Sequence, residues 1–178
     1  MIRLFAALSP PEPVRDRLEM VRQGLPGRLV PRANLHVTLA FFGEIDEAQA
    51  ADLHAALLAV RGAAFDYWLD GVGAFGGARP RLIYAAVRPE PALEALHETV
   101  AQAGRDAGLT VEAARYVPHV TLTRLRPGEL TDRACARALE GRAAFLAGPA
   151  RADGFGLYRS DLGHGGPVYS LLQRYRLR

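Results

Sequence analysis

Apolar residues along this chain recur at two spacings, every second position and every third or fourth, and the switches between them mark the elements. Residues 2–8 read as a strand. Pro10, Pro11 and Pro13 open a helix to about Gln23, with Val14, Leu18 and Val21 at helical spacing, and Gly24 and Gly27 end it. Strand pattern returns from about Leu35 to Phe42 and stops at Gly43. Ile45 to Val60 predicts a second helix with Asp46 as its cap. Residues 65–75 and 81–87 read as strands joined at Gly76-Gly77, and Pro89 to Ala107 as a third helix with Leu93, Leu96 and Val100 on one face. A strand from Val117 to Leu125, a short helix from Thr131 to Leu139, and strands over 151–158 and 167–177 close the chain. The order is β-α-β-α-β, repeated, with one extra strand. Tight connections near Gly76 and Gly165 favour antiparallel pairing, so the expected class is α+β, two antiparallel sheets with helices on their outer faces.

Two of these strands carry the same four residues: His36-Val37-Thr38-Leu39 and His119-Val120-Thr121-Leu122. In a strand, residues two apart share a face. Val and Leu can therefore anchor in a core while an imidazole and a hydroxyl face a cavity. The repetition is wider than the motif. Asp70-Gly71-Val72-Gly73-Ala74-Phe75 and Asp153-Gly154-Phe155-Gly156-Leu157-Tyr158 each begin 34 residues after their histidine, and Arg32 and Arg115 each stand four before it. The opening Arg3-Leu4-Phe5-Ala6-Ala7 resembles Arg81-Leu82-Ile83-Tyr84-Ala85. The unit is about half the chain, which predicts internal repeats over approximately 1–80 and 81–160 within one domain, not a solenoid. Two related halves that each present His-x-Thr predict one shared site at a pseudo-two-fold axis.

Composition narrows the function classes without naming one. At 178 residues the chain suits a single domain with a sizeable core. No apolar run reaches the roughly 18 residues of a membrane span, and Met1-Ile2-Arg3-Leu4-Phe5 runs straight into strand pattern, so neither a membrane partner nor a signal peptide is expected. The single Cys135 cannot form an internal disulfide, which fits a cytoplasmic location. It lies in an Ala-rich helical segment and reads as buried filler. The net charge is +3 and all 22 basic residues are arginine. With so much Ala and Gly this is compositional bias, so arginine alone does not argue for nucleic acid, although guanidinium suits phosphate. There is no dinucleotide fingerprint and no Walker loop, and no cofactor is expected.

Two His and two Thr suit phosphoryl chemistry. Histidine titrates near 6.5, so one ring can be neutral and the other protonated, a general base opposite a general acid. Each Thr hydroxyl can donate to a phosphoryl oxygen, and in-line displacement needs such donors. A metal site is the weaker alternative, because two His need a third ligand and no Asp or Glu stands beside either motif at ligand spacing.

Asn34-Leu35-His36-Val37-Thr38-Leu39-Ala40-Phe41-Phe42-Gly43 and Tyr116-Val117-Pro118-His119-Val120-Thr121-Leu122-Thr123-Arg124, with Arg3-Leu4-Phe5 and Gly166-Pro167-Val168-Tyr169, resemble the 2H phosphoesterase superfamily. More closely they resemble its RNA 2′,3′-cyclic phosphodiesterases, also called 2′-5′ RNA ligases, over nearly the whole chain. The resemblance implies a bilobal fold with both motifs lining a central cleft, no metal, and RNA ends or small cyclic nucleotides as partners of a monomer. It implies hydrolysis of a 2′,3′-cyclic phosphate to a 2′-phosphomonoester, with His36 as proton donor, His119 as proton acceptor, and Thr38 and Thr121 on the phosphate. Ligation to a 5′-hydroxyl and non-catalytic binding of RNA ends are the alternatives.

Other residues carry weaker signals. Arg124 could meet a phosphate, but strict alternation puts it on the face opposite His119 unless a bulge turns it in. Phe42 shares the His36 face and could stack on a base. Phe5, Phe41 and Tyr158 could add to an aromatic wall or simply fill the core. Thr123 falls on the His119 face. Arg174, Arg176 and Arg178 read as a solvated face, and His54 and His97 as surface residues of helices.

Overall fold

The computed structural model describes residues 1–112, 114–164 and 166–178. In chain order its elements are β1 (Ile2–Leu8), α1 (Glu12–Arg22), β2 (Arg28–Leu29), a 3-10 turn (Arg32–Asn34), β3 (Val37–Ile45), α2 (Glu47–Leu58), β4 (Phe65–Phe75), β5 (Leu82–Val87), α3 (Pro91–Asp106), β6 (His119–Arg124), α4 (Asp132–Leu139), β7 (Leu146–Ala152), β8 (Gly154–Gly163) and β9 (Gly166–Arg176). The class is α+β, as the pattern predicts. Side chains start the helices where the caps are expected. Asp46 accepts from the Gln49 amide while the Gln49 side chain accepts from the Asp46 amide, a reciprocal cap that starts α2. Thr131 accepts from the Ala134 amide and starts α4.

The sheet departs from expectation in one respect. Its strands run β7-β4-β5-β6-β3-β1-β8-β9, with β2 added on β6, and all pairs are antiparallel. The two expected sheets are two four-stranded groups joined into one, among the described residues, by a single pair, Val37 with Val120. Both valines are fully buried. Neither group is one half of the sequence. β1 sits between β3 and β8, and β5 between β6 and β4, so the first half sends β2 and β4 into one group and the second half sends β8 and β9 into the other. The helices cross as well: α1, which follows β1, packs on β6 and β7, whereas α3, which links β5 to β6, packs on β3.

β7 has little strand signature of its own. Its sequence, Leu-Ala-Gly-Pro-Ala-Arg-Ala, has low strand propensity and an internal Pro149. Proline removes a ladder donor and is tolerated on an edge strand, and β7 ends the sheet.

Two bulges set which side chains face the histidines. Along β1 and β3 the partners are Ala7 with Thr38, then Ala6 with Ala40, so Leu39 is the extra residue. Along β5 and β6 they are Tyr84 with Thr121, then Ile83 with Thr123, so Leu122 is the extra residue. These are the same position of the two motifs. One extra residue reverses the in–out alternation beyond it. Accordingly Leu39 and Ala40 are both buried, as are Leu122 and Thr123. Beyond the bulges, Phe41 and Arg124 emerge where strict alternation would place their neighbours.

Candidate active site

Each histidine is aimed by the backbone two residues before it. His36 Nδ1 lies 2.6 Å from the Asn34 carbonyl, and His119 Nδ1 lies 2.7 Å from the Val117 carbonyl. A carbonyl only accepts, so Nδ1 carries the proton in the neutral ring and Nε2 is left for chemistry. His36 Nε2 is 3.0 Å from the Thr38 hydroxyl, as expected for side chains two apart on one strand face. The pairing of Val37 with Val120, continued one residue each way, sets His36 opposite Thr121 and Thr38 opposite His119.

All four side chains line one cleft of about 500 Å³. Aromatic rings frame each imidazole. Phe5 is 5.0 Å from His36 and Tyr169 meets it edge-on at 5.4 Å. Phe75 and Tyr84 stand 5.0 and 5.5 Å from His119. This apolar surround penalises the charged imidazolium. Burial, opposed by the Asn34 carbonyl, holds His36 down at about 4, with the His119 and Arg124 charges pushing the same way as burial. Burial also lowers His119, with Arg124 adding to it.

The bulges decide which of the remaining expected residues reach the cleft. Arg124 lines it, turned in by the extra Leu122. Phe42 does not: it is 3% exposed, packs in the core and lies beneath α3, where Gly104 leaves room for its ring. The extra Leu39 exchanges Phe42 for Phe41, which is 60% exposed and lines the cleft. Thr123 likewise leaves the histidine face; it is fully buried and donates to the Pro26 carbonyl at 2.8 Å. Tyr158 stacks on Phe5 at 5.4 Å and does not line the main cleft; it lines a separate hollow of about 770 Å³ and shares a small cavity of about 30 Å³ with His36, Phe5 and Tyr169.

His97 is no bystander on a helix surface. It is half-buried, stacks on Tyr116 at 3.8 Å and donates from Nδ1 to the Leu39 carbonyl at 2.6 Å. Tyr116 donates to the Thr38 carbonyl at 2.9 Å. The first bulge thus has its carbonyls satisfied by two side chains. The second is satisfied by backbone, the Val30 amide donating to the Leu122 carbonyl at 2.9 Å. Phe75 and Tyr169 join the site without being predicted for it. The repeat holds a signal for Phe75, which ends its Asp-Gly-x-Gly segment as Tyr158 ends the other. Tyr169 lies in the Gly166-Pro167-Val168-Tyr169 stretch that carries the family resemblance, but nothing local places it beside His36.

The family model described as the 2′-5′ RNA ligase superfamily matches residues 10–164. The chain belongs to that superfamily. Members similar to it include the RNA 2′,3′-cyclic phosphodiesterase of Thermus thermophilus, 35% identical over 99% of this chain and 91% of that protein. The RNA 2′,3′-cyclic phosphodiesterase of Aeropyrum pernix is 30% identical over 89% of this chain and 90% of its own length. Among solved structures, E. coli LigT complexed with 3′-AMP superposes with a TM-score of 0.80 at 26% identity, covering 99% of this chain and 98% of that one. No helix among the described residues of this superfamily member is long and apolar enough to cross a membrane.

Proposed function

We propose that this protein hydrolyses RNA 2′,3′-cyclic phosphate ends to 2′-phosphomonoesters by two-histidine acid–base catalysis. The observation that carries the proposal is the convergence of both His-x-Thr faces and Arg124 on one cleft. The activity of its relatives supports the substrate. Water attacks phosphorus on one side of the cyclic phosphate, and His119 Nε2 takes its proton. The bond from phosphorus to O3′ breaks on the other side, and His36 Nε2 gives O3′ its proton. The 2′ ester bond survives, so the product carries a 2′-phosphate and a free 3′-hydroxyl. Thr38, Thr121 and Arg124 hold the phosphoryl oxygens, supplying donors where charge gathers in the transition state. His36 is the more strongly depressed ring, yet a proton donor must start charged. The phosphodiester anion meets that need: an opposite charge a few ångströms away favours the imidazolium.

Incubation with an oligonucleotide ending in a 2′,3′-cyclic phosphate tests the proposal, with chromatographic assignment of the product. A 2′-phosphate supports it, and a 3′-phosphate or unchanged substrate sinks it. Activity is expected to survive exhaustive chelation; recovery only on adding zinc or manganese would replace the two-histidine scheme with a metal-dependent one. Concentrated RNA with a 5′-hydroxyl partner in the same assay reads out ligation.

A further inference from the structure

Arg28 and Arg124 are directly opposite each other across β2 and β6. Directly opposed side chains share a face, and like charges in that position repel. Elsewhere the fold neutralises many arginines locally: Arg22 on Glu19, Arg88 on Asp70, Arg174 on Asp153. Among the described residues neither Arg28 nor Arg124 is in an ion pair with a carboxylate. Both line a small annex of about 50 Å³ beside the main cleft, which shares His36, Thr121, Arg124 and Tyr169 with it but neither Arg28 nor His119. Among the described residues the annex has no Asp or Glu in its wall. Arg28 is also seated and not merely exposed. Its guanidinium fills the space beside Gly166 at the start of β9; a side-chain carbon there would fall within 2.9 Å of its Cζ, and the residue has φ +114°. The positive φ favours glycine at this position, and the bare Cα leaves room for the guanidinium.

We infer that Arg28, beside the Arg124 that holds the cyclic phosphate, forms a second phosphate subsite that takes the internucleotide phosphate preceding the RNA end. The inference rests on the proposed reaction and goes further, since it makes the protein prefer an RNA end over a single cyclic nucleotide. In that reaction His36 protonates O3′, so the terminal ribose lies on the His36 side of the cleft. The next phosphate hangs from the 5′ oxygen of that ribose, and the annex opens on the same side. An anion placed there relieves the repulsion of the paired arginines and is held by charge-assisted hydrogen bonds. A mononucleotide 2′,3′-cyclic phosphate has no such group.

The test compares two substrates, a mononucleotide 2′,3′-cyclic phosphate and a short oligonucleotide ending in one, with wild type, Arg28→Ala and Arg28→Lys. For Arg28→Ala, kcat/KM on the oligonucleotide is expected to fall about tenfold, the order of one charge-assisted contact, while turnover of the mononucleotide stays within about twofold. Arg28→Lys should recover part of the loss, because it keeps the charge and loses the planar fork. An oligonucleotide whose penultimate phosphate is a neutral methylphosphonate should be a poorer substrate for wild type and no worse for Arg28→Ala. The salt dependence of oligonucleotide binding should lose about 0.7 from its logarithmic slope, one single-strand phosphate contact. Equal losses on both substrates, or no loss on either, overturn the inference while leaving the hydrolase intact. Wild type inert on both substrates removes the proposed function itself and the subsite with it.

Discussion

Each imidazole is fixed by one short hydrogen bond to the backbone two residues earlier, and this sets both its tautomer and its direction. If His36 and His119 are acid and base, His36→Ala and His119→Ala should each lower turnover by about 10²–10⁴-fold, with circular dichroism unchanged. Thr38→Ala and Thr121→Ala should cost less, through weaker phosphate contacts; near-normal turnover in either histidine variant would end the acid–base scheme. The same two rings make stability depend on pH. Both are held below the ordinary 6.5, His36 at about 4. As pH falls below about 6.5 the unfolded chain takes up these protons and the folded one does not, so unfolding gains until about pH 4. The melting temperature should therefore decline across that window, and His36→Asn should make the decline shallower. A slope identical to wild type would show that His36 is not held neutral by the fold.

At the scale of the strand, one inserted residue decides what the cleft contains. The bulges at Leu39 and Leu122 bring Phe41 and Arg124 to the histidine face and send Phe42 and Thr123 to the core. Phe42→Ala should cost about 3–5 kcal/mol in chemical denaturation, the usual loss for a buried aromatic. Phe41→Ala should leave stability within about 0.5 kcal/mol and instead raise KM, because base stacking on an aromatic is worth about 1–3 kcal/mol. The reverse pattern would mean that the strand keeps strict alternation. The first bulge is secured from α3 by His97 on the Leu39 carbonyl. His97→Ala frees that carbonyl, and a fall in kcat larger than the fall in stability is the expected sign that the bulge holds His36 and Thr38 in place.

Across the whole molecule, we read the chain as one bilobal domain built from two related halves that exchange elements. β4 leaves the first half to pair with β5 and β7, and β8 leaves the second to pair with β1 and β9. Residues 1–80 and 81–178, expressed separately, would each expose strand edges and apolar faces that the other covers. Neither is expected to unfold cooperatively on heating, whereas the intact chain should show one transition. A cooperative transition in either fragment would establish independent lobes. The exchange also bears on the site, since the two histidines stand on β6 and just before β3, the strands whose pairing joins the two groups. Any change in how the groups meet moves both rings together.

The amino-acid pattern alone determined most of the strands and helices, the two His-x-Thr faces, and the candidacy of two imidazoles as an acid–base pair. These depend on side chains two to four residues apart, within one element, and the repeat supplied a second copy to check against. Only the tertiary structure decided which of Phe41 and Phe42 faces the cleft, how Arg124 is turned in, and that Tyr169 and Arg28 stand beside His36. A bulge is a mismatch between two strands and has no signature in one of them; it exists because β1 and β5 pair in registers that leave Leu39 and Leu122 unopposed. Pro149 could mark an edge, but which strand lies at the edge depends on the order of the whole sheet. Contacts between residues more than a hundred positions apart are settled by the cross-chain burial of apolar faces, which local periodicity specifies in amount and not in partner.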